Sequence, residues 1–247
     1  MARPPPRSLP FPSFPCPSQR LLTLPETSEG LDKLFSLLYY SRIRFVHQLL
    51  PFLTATPLPS TRVISIYAAG LEDPHKNFFP DDLSLRDTRN FSYTATRNHV
   101  VHMKTMAFET IAQQYPNVGL VHVFPGLVIT PGFDRNPLPW WFRVLWTIFR
   151  PIAGWFALKH EDSGEWTLGL TSDRFGRAGQ SKAGGEAAAE STDGVVGGGA
   201  YSAKYNGQVY GNIAVYEGLR KKGFREKVWE HTMSAFKEIS EGRVFKD

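Results

Sequence analysis

The stretch that most constrains this chain is Val123-Phe-Pro-Gly-Leu-Val-Ile-Thr130, directly behind the apolar run Val118, Leu120 and Val121. A short apolar run rich in β-branched residues reads as a buried strand, and Pro125-Gly126 closes it in a turn. In a doubly wound α/β sheet, ligands lie beyond the carboxyl ends of the strands, so this turn would face a binding crevice.

The rest of the chain supplies elements for such a sheet. Glu26-Thr-Ser-Glu29 is expected to open a helix, with Thr27 or Ser28 capping its free N–H groups. Leu31, Leu34, Leu37, Leu38, Ser41, Phe45 and Leu49 then recur at helical spacing up to Pro51. Arg62–Tyr67 reads as a β-branched strand closed by Ala68-Ala-Gly70, and a polar loop spans 71–90. A helix over 95–114 presents Val100, Met103, Ala107 and Ile111 on one face, and 118–124 forms the next strand. Further on, the pattern predicts a helix from Glu161 to Leu170 and a short strand over Ala200–Lys204. A last helix over 223–240 turns Val228, Trp229, Met233, Phe236 and Ile239 inward. Residues 176–199 are rich in Gly, Ala and Ser with almost no large apolar side chains, which predicts a flexible insertion.

With 247 residues the chain suffices for one ordinary domain, taken as 28–247. Residues 1–27 are proline-rich; with donors removed and φ fixed, they are expected to form a disordered arm. Cys16 is the lone cysteine, and the first residues lack a continuous apolar segment, so an intracellular, cytoplasmic protein is expected. The net charge is +5, yet the densest basic cluster (Arg220, Lys221, Lys222, Arg225, Lys227) is diluted by Glu217 and Glu226. It reads as a solvated helix face, and no nucleic-acid partner is expected. Glu72, Asp73, Asp81 and Asp82 read as solvated loop carboxylates. His99 and His102 have a metal-compatible i, i+3 spacing but no third ligand, so they read as solvated and no metal is expected.

Residues 138–158 stand apart. Trp140, Trp141, Phe142, Val144, Leu145, Trp146, Ile148 and Phe149 crowd an apolar cylinder, on which Arg143, Thr147 and Arg150 leave one narrow polar stripe. Pro139 suits the first helical position, and Pro151 would end or kink the helix. Two arginines and two prolines make it a poor membrane span. A substrate lid, an interfacial helix or a partner contact stand against a buried core helix.

The order of these elements resembles the second half of the short-chain dehydrogenase/reductase family, in particular a set of fungal oxidoreductase-like proteins. Thr27-Ser-Glu-Gly-Leu-Asp32 with Tyr39-Tyr-Ser-Arg42, Arg62-Val-Ile-Ser65 with Ala68-Ala-Gly70, and Val121-His-Val-Phe-Pro-Gly126 carry the resemblance. So do Glu161-Asp-Ser-Gly-Glu165 and Arg225-Glu-Lys-Val-Trp-Glu-His-Thr232. It implies a partial Rossmann-like parallel sheet with an apolar lid helix. It also implies NAD or NADP as cofactor, its nicotinamide end met by Pro125, Gly126 and Thr130. The implied activity is oxidation or reduction of a hydrophobic alcohol or ketone, with an association to fungal secondary metabolism.

Two departures qualify this. The family binds the diphosphate on a glycine-rich loop after its first strand. Residues 1–61 hold nothing like it, so the chain reads as truncated at its N-terminus. The family's tyrosine and the lysine four residues on are matched only by Tyr93 and Arg97. The family's tyrosine would fall between Ala95 and Asn98, and its serine at Ile66 or Tyr67. The alternative is therefore a catalytically inactive homologue that binds a partner or a membrane surface through 138–158. A half-sheet would also expose a strand edge and favour self-association.

Overall fold

The computed structural model describes residues 26–55, 61–129, 140–180, 182–183, 186–211 and 213–247. Three parallel strands, β1 (Arg62–Ile66), β2 (Gly119–Phe124) and β5 (Ala200–Lys204), form one sheet in the order β1-β2-β5. In register, Ile64 faces Val121 and Val121 faces Tyr201. The chain is thus α/β, with the sheet of a partial Rossmann-like fold, and 123–124 lie in that sheet as expected. Most of the proline-rich arm and Thr130 lie outside the described residues.

The first helix differs from its sequence reading. Asp32, not Thr27 or Ser28, caps α1 (Lys33–Phe35), its carboxylate accepting from the N–H groups of Leu34 and Phe35. The chain then passes through a π-helical turn (Ser36–Tyr40) into α2 (Ser41–Ala55). The wider turn shifts the inward face, so Phe35, Tyr39, Tyr40, Ile43, Val46 and Leu50 are buried. Leu37 and Phe45, expected inside, are both 64% exposed. Helix α2 also continues past Pro51. A proline forfeits its own N–H bond and restricts the residue before it, which one remaining turn tolerates.

Ser92 caps α3 (Tyr93–Gln114), which crosses from β1 to β2. It is buried on nearly every side. Val63, Leu120 and Ala200 turn toward it and share one core with α1, α2, α6 (Ile213–Lys221) and α7 (Phe224–Ser240). The alternate residues Ile64, Val121, Val123, Tyr201 and Ala203 face a second, smaller core. The period-2 alternation of strands thus separates the two layers.

What covers that second face is the Gly-rich stretch expected to be a flexible insertion. Here it follows a defined path. Strands β3 (Lys182–Ala183) and β4 (Glu186–Ala187) pair antiparallel, Glu190 bridges Val196, and Ala189, Ser191 and Thr192 are buried. Backbone contact replaces side-chain packing. A Cβ at Gly119 would meet the Phe175 carbonyl oxygen at 2.8 Å, and one at Gly197 the Gln180 carbonyl oxygen at 2.4 Å. The Tyr201 hydroxyl donates to the Gly176 carbonyl at 3.0 Å.

Helix α4 (Trp140–Phe156) runs through position 151, and α5 (His160–Gly169) follows it. The buried-core reading of α4 is overturned for its described side chains. Val144, Leu145, Ile148, Phe149 and Trp155 are all exposed, Trp155 by 87%. The basic cluster is not a uniformly solvated face either. Arg220 reaches the buried Glu109 at 2.9 Å, while Lys221, Arg225 and Lys227 pair with Glu217, Glu226 and Asp81.

Candidate active site

The carboxyl ends of β1 and β2 bring two segments to one edge. After β1, the Tyr67 N–H donates to the Val123 carbonyl at 2.8 Å, which fixes where the Tyr67 ring leaves the sheet. After β2 come Pro125 and Gly126, the latter at φ +76°. Gly70, at φ +77°, lies against the Tyr210 ring, which a Cβ there would penetrate at 2.2 Å. Both glycines are thus required by backbone conformation and by close approach.

Tyr67 gathers polar and charged groups from two helices. Arg42 of α2 donates to the Ile66 carbonyl at 2.6 Å and stands 5.9 Å from the Tyr67 ring. Tyr93 and Arg97, from the first turns of α3, act on it electrostatically, and Lys104, two turns further, places its Nζ 4.9 Å from the ring centre. Burial pushes the Tyr67 phenol up to about 12, with Tyr93 adding to the rise and Arg97 and Arg42 opposing it. At neutral pH it is a protonated phenol, the donor form. Tyr93 itself is 56% exposed.

Lys104 is fully buried, and neither its Nζ nor the Tyr67 hydroxyl has a hydrogen-bond partner among the described residues. Desolvation pulls its amine down to about 7, with Arg42 adding to the effect. Beside it runs a polar layer between α3 and the sheet. Thr105 Oγ1 lies 3.2 Å from His122 Nδ1, and the Tyr216 hydroxyl donates to Glu72. Burial holds His122 well below the ordinary histidine range. Glu72, expected to be solvated, is tied to this layer.

The expected residues divide accordingly. Tyr93 and Arg97, at i and i+4 on α3, both act electrostatically on Tyr67 at the end of β1, and Pro125 and Gly126 follow the neighbouring strand. His99 and His102 are buried rather than solvated: His99 Nε2 accepts from the Phe79 N–H at 2.9 Å, and His102 stacks on Phe78 at 4.2 Å. Among the described residues no group of three could hold a metal ion. Sequence reasoning missed Arg42 and Lys104 at this site. A signal for Lys104 was present: it sits among the apolar positions of a helix with no polar face.

Over 225 residues the chain is 38% identical to the "Short-chain dehydrogenase/reductase SAT2" of Stachybotrys chartarum, covering 87% of this chain and 61% of that relative. It is 32% identical over 230 residues to the "Oxidoreductase andH" of Emericella variicolor, covering 89% of this chain and 65% of that protein. It is 34% identical over 230 residues to the "NmrA-like family domain-containing oxidoreductase notO" of an Aspergillus species, covering 85% of this chain and 59% of that protein. These relatives are named a short-chain dehydrogenase/reductase and oxidoreductases, one of them NmrA-like, and the chain is similar to them over most of its own length. It spans about three fifths of the length of these relatives (59–65%), and no family model matches it.

Relatives of this kind imply nicotinamide-dinucleotide chemistry in general. The short-chain turn tests whether such a ring fits here. A Cβ at Gly126 would meet Leu158 Cδ1 at 2.7 Å and the Tyr205 ring at 3.1 Å. Those atoms belong to side chains, so the surface that Gly126 leaves open is covered by Leu158 and Tyr205 in this structure. The two clefts of about 450 and 470 Å³ are lined elsewhere, around Phe78 and Phe224 and around Arg86 and Asp247. Neither includes Tyr67 or Gly126, and the chemistry is better placed at the sheet edge, where the donors converge.

Proposed function

We propose that the chain is an oxidoreductase of the short-chain type that uses NAD or NADP on a hydrophobic alcohol or ketone, in fungal secondary metabolism. The observation that carries this is the parallel pairing of β1 and β2, which sets Tyr67, electrostatically coupled to Tyr93 and Arg97 of α3, beside the strand that ends in the Pro125-Gly126 turn. Tyr93, the more exposed phenol, is the group that gives or takes the substrate proton. Arg97 stands one turn further along α3, where the family has a lysine, although a planar guanidinium cannot copy a compact ammonium. Tyr67 stays protonated beneath it, and Arg42 anchors that strand end through the Ile66 carbonyl. Pro125 and Gly126, with Thr130 by resemblance, would hold the nicotinamide, which supplies or accepts the hydride when bound. The carbonyl or alcohol of an apolar substrate would lie between Tyr93 and that turn. A non-catalytic role draws no support from the relatives, each named a dehydrogenase/reductase or oxidoreductase.

Titration of NADPH and NADH against thermal unfolding tests this. A ligand at a hundred times its Kd stabilises by about 2.7 kcal/mol, a clear rise in melting temperature. Tyr93→Phe is expected to abolish turnover and retain that rise. No rise at saturation with either dinucleotide would overturn the proposal.

A further inference from the structure

Helix α4 is built inside out. Its half-buried line is Trp146 and Ala153, at i and i+7, continued by Ala157 just past the helix end. The opposite face carries Val144, Ile148 and Trp155 at i, i+4 and i+11, flanked by Leu145 and Phe149. These are 53%, 62%, 87%, 37% and 49% exposed in that order. A side-chain carbon added at Gly154 would touch nothing within 4 Å, so the outer side of the helix is open. Large apolar side chains gathered on an open surface mark a contact with something apolar.

The charge pattern says what that is. From Arg135 to Lys159 the sequence holds Arg135, Arg143, Arg150 and Lys159 and no carboxylate; acids resume only at Glu161. The whole chain is also basic, at +5. The stretch is rich in tryptophan, the residue that settles at the boundary between headgroups and acyl chains. Among the described residues no helix is long and apolar enough to cross a membrane. An amphipathic helix with an apolar aromatic face, basic polar positions and no acid lies in the plane of a lipid surface.

We propose that α4 docks the protein on anionic lipid, its Val144–Ile148–Trp155 face entering the boundary between headgroups and acyl chains. Depth is set by those side chains, and the arginines and Lys159 favour phosphate-bearing headgroups. This reading is independent of the catalytic one, since it uses no residue of the Tyr67–Tyr93 site.

The test is co-sedimentation of the full chain with phosphatidylcholine vesicles that do or do not contain phosphatidylserine, with tryptophan fluorescence read in parallel. The expected result is binding to the anionic vesicles that weakens with salt, with a blue-shifted emission quenched by brominated lipid. The double variant Ile148→Glu/Trp155→Glu loses two apolar contacts and adds two charges, so its partition should fall about a hundredfold. Both sites are exposed, so its melting temperature should be unchanged; Val144→Ser/Ile148→Ser serves as a milder second variant and should weaken binding in the same direction. Three outcomes would overturn the proposal. The wild type could stay in the supernatant, both variants could bind as it does, or binding could be equal to neutral vesicles at every salt concentration. A dimer that the variants dissociate, with no vesicle binding, would instead assign the face to a second copy of the chain.

Discussion

Lys104 is the residue that the fold accommodates at greatest cost. Its Nζ is buried over the face of Tyr67 with no hydrogen-bond partner among the described residues, and a cation over a phenol ring recovers about 0.5–2 kcal/mol, far less than an ammonium loses with its water. Its folded value of about 7 lies below the ordinary 10.5, so between those values the unfolded chain binds more protons. Stability should therefore rise as pH climbs from about 7 to about 10.5. Lys104→Met should flatten that rise and stabilise the protein at neutral pH by about 1–4 kcal/mol, read by urea unfolding across pH. The histidines act at the other end of the scale. His99 and His102 are pulled by burial from 6.5 to about 4, so the stability present above 6.5 should be lost as pH falls toward 4. Denaturant midpoints at successive pH values check this. At this scale the sequence was only partly legible. Pro125 and Gly126 could be singled out as a strand-ending turn and Tyr93 and Arg97 through the family resemblance, but Arg42 reaches Tyr67 from another helix across a tertiary contact that no local pattern encodes.

At the scale of elements, local chemistry was legible wherever one helix face alone was wet. The interior positions of α7 follow their spacing: Val228 and Phe236 are buried, and Trp229, Met233 and Ile239 pack against the core. The first helix was misread because a π turn is invisible to a 3.6-residue template, and one extra residue rotates everything downstream. The start was misplaced for a related reason, since three candidate caps stand within six residues and only tertiary packing selects Asp32. Asp32→Ala should cost about 1 kcal/mol, the usual worth of an N-cap, and Thr27→Ala and Ser28→Ala less, as thermal melts would show. Helix α6 escaped notice because its nine residues lie next to a basic cluster that draws attention to solvent. Only the structure shows Arg220 turning inward to Glu109.

Across the whole molecule, the three strands of the main sheet were readable as short runs between helical patterns, and their parallel arrangement followed from the family resemblance. The cover over the second sheet face was not, because glycine-rich sequence carries no apolar signal. One ion pair locks the two layers together. Glu109 on α3 accepts from Arg220 of α6 at 2.9 Å and from the Thr192 hydroxyl of the Gly-rich stretch at 2.7 Å. Arg220→Ala would leave a carboxylate buried alone, and a loss of about 3–5 kcal/mol is expected on chemical denaturation. Among the described strands, β1 and β5 are the outer members of the sheet, and self-association through β1 is our expectation, to be read as a concentration-dependent sedimentation coefficient. The glycine-rich cover has its own consequence for how the protein tolerates change. A saturation mutagenesis map would normally show a low-complexity stretch as permissive. Here Gly197 and Gly199 sit at φ +73° and +90° with backbone packed against the missing Cβ, so a methyl group there should be as damaging as a charge placed in the middle of the sheet.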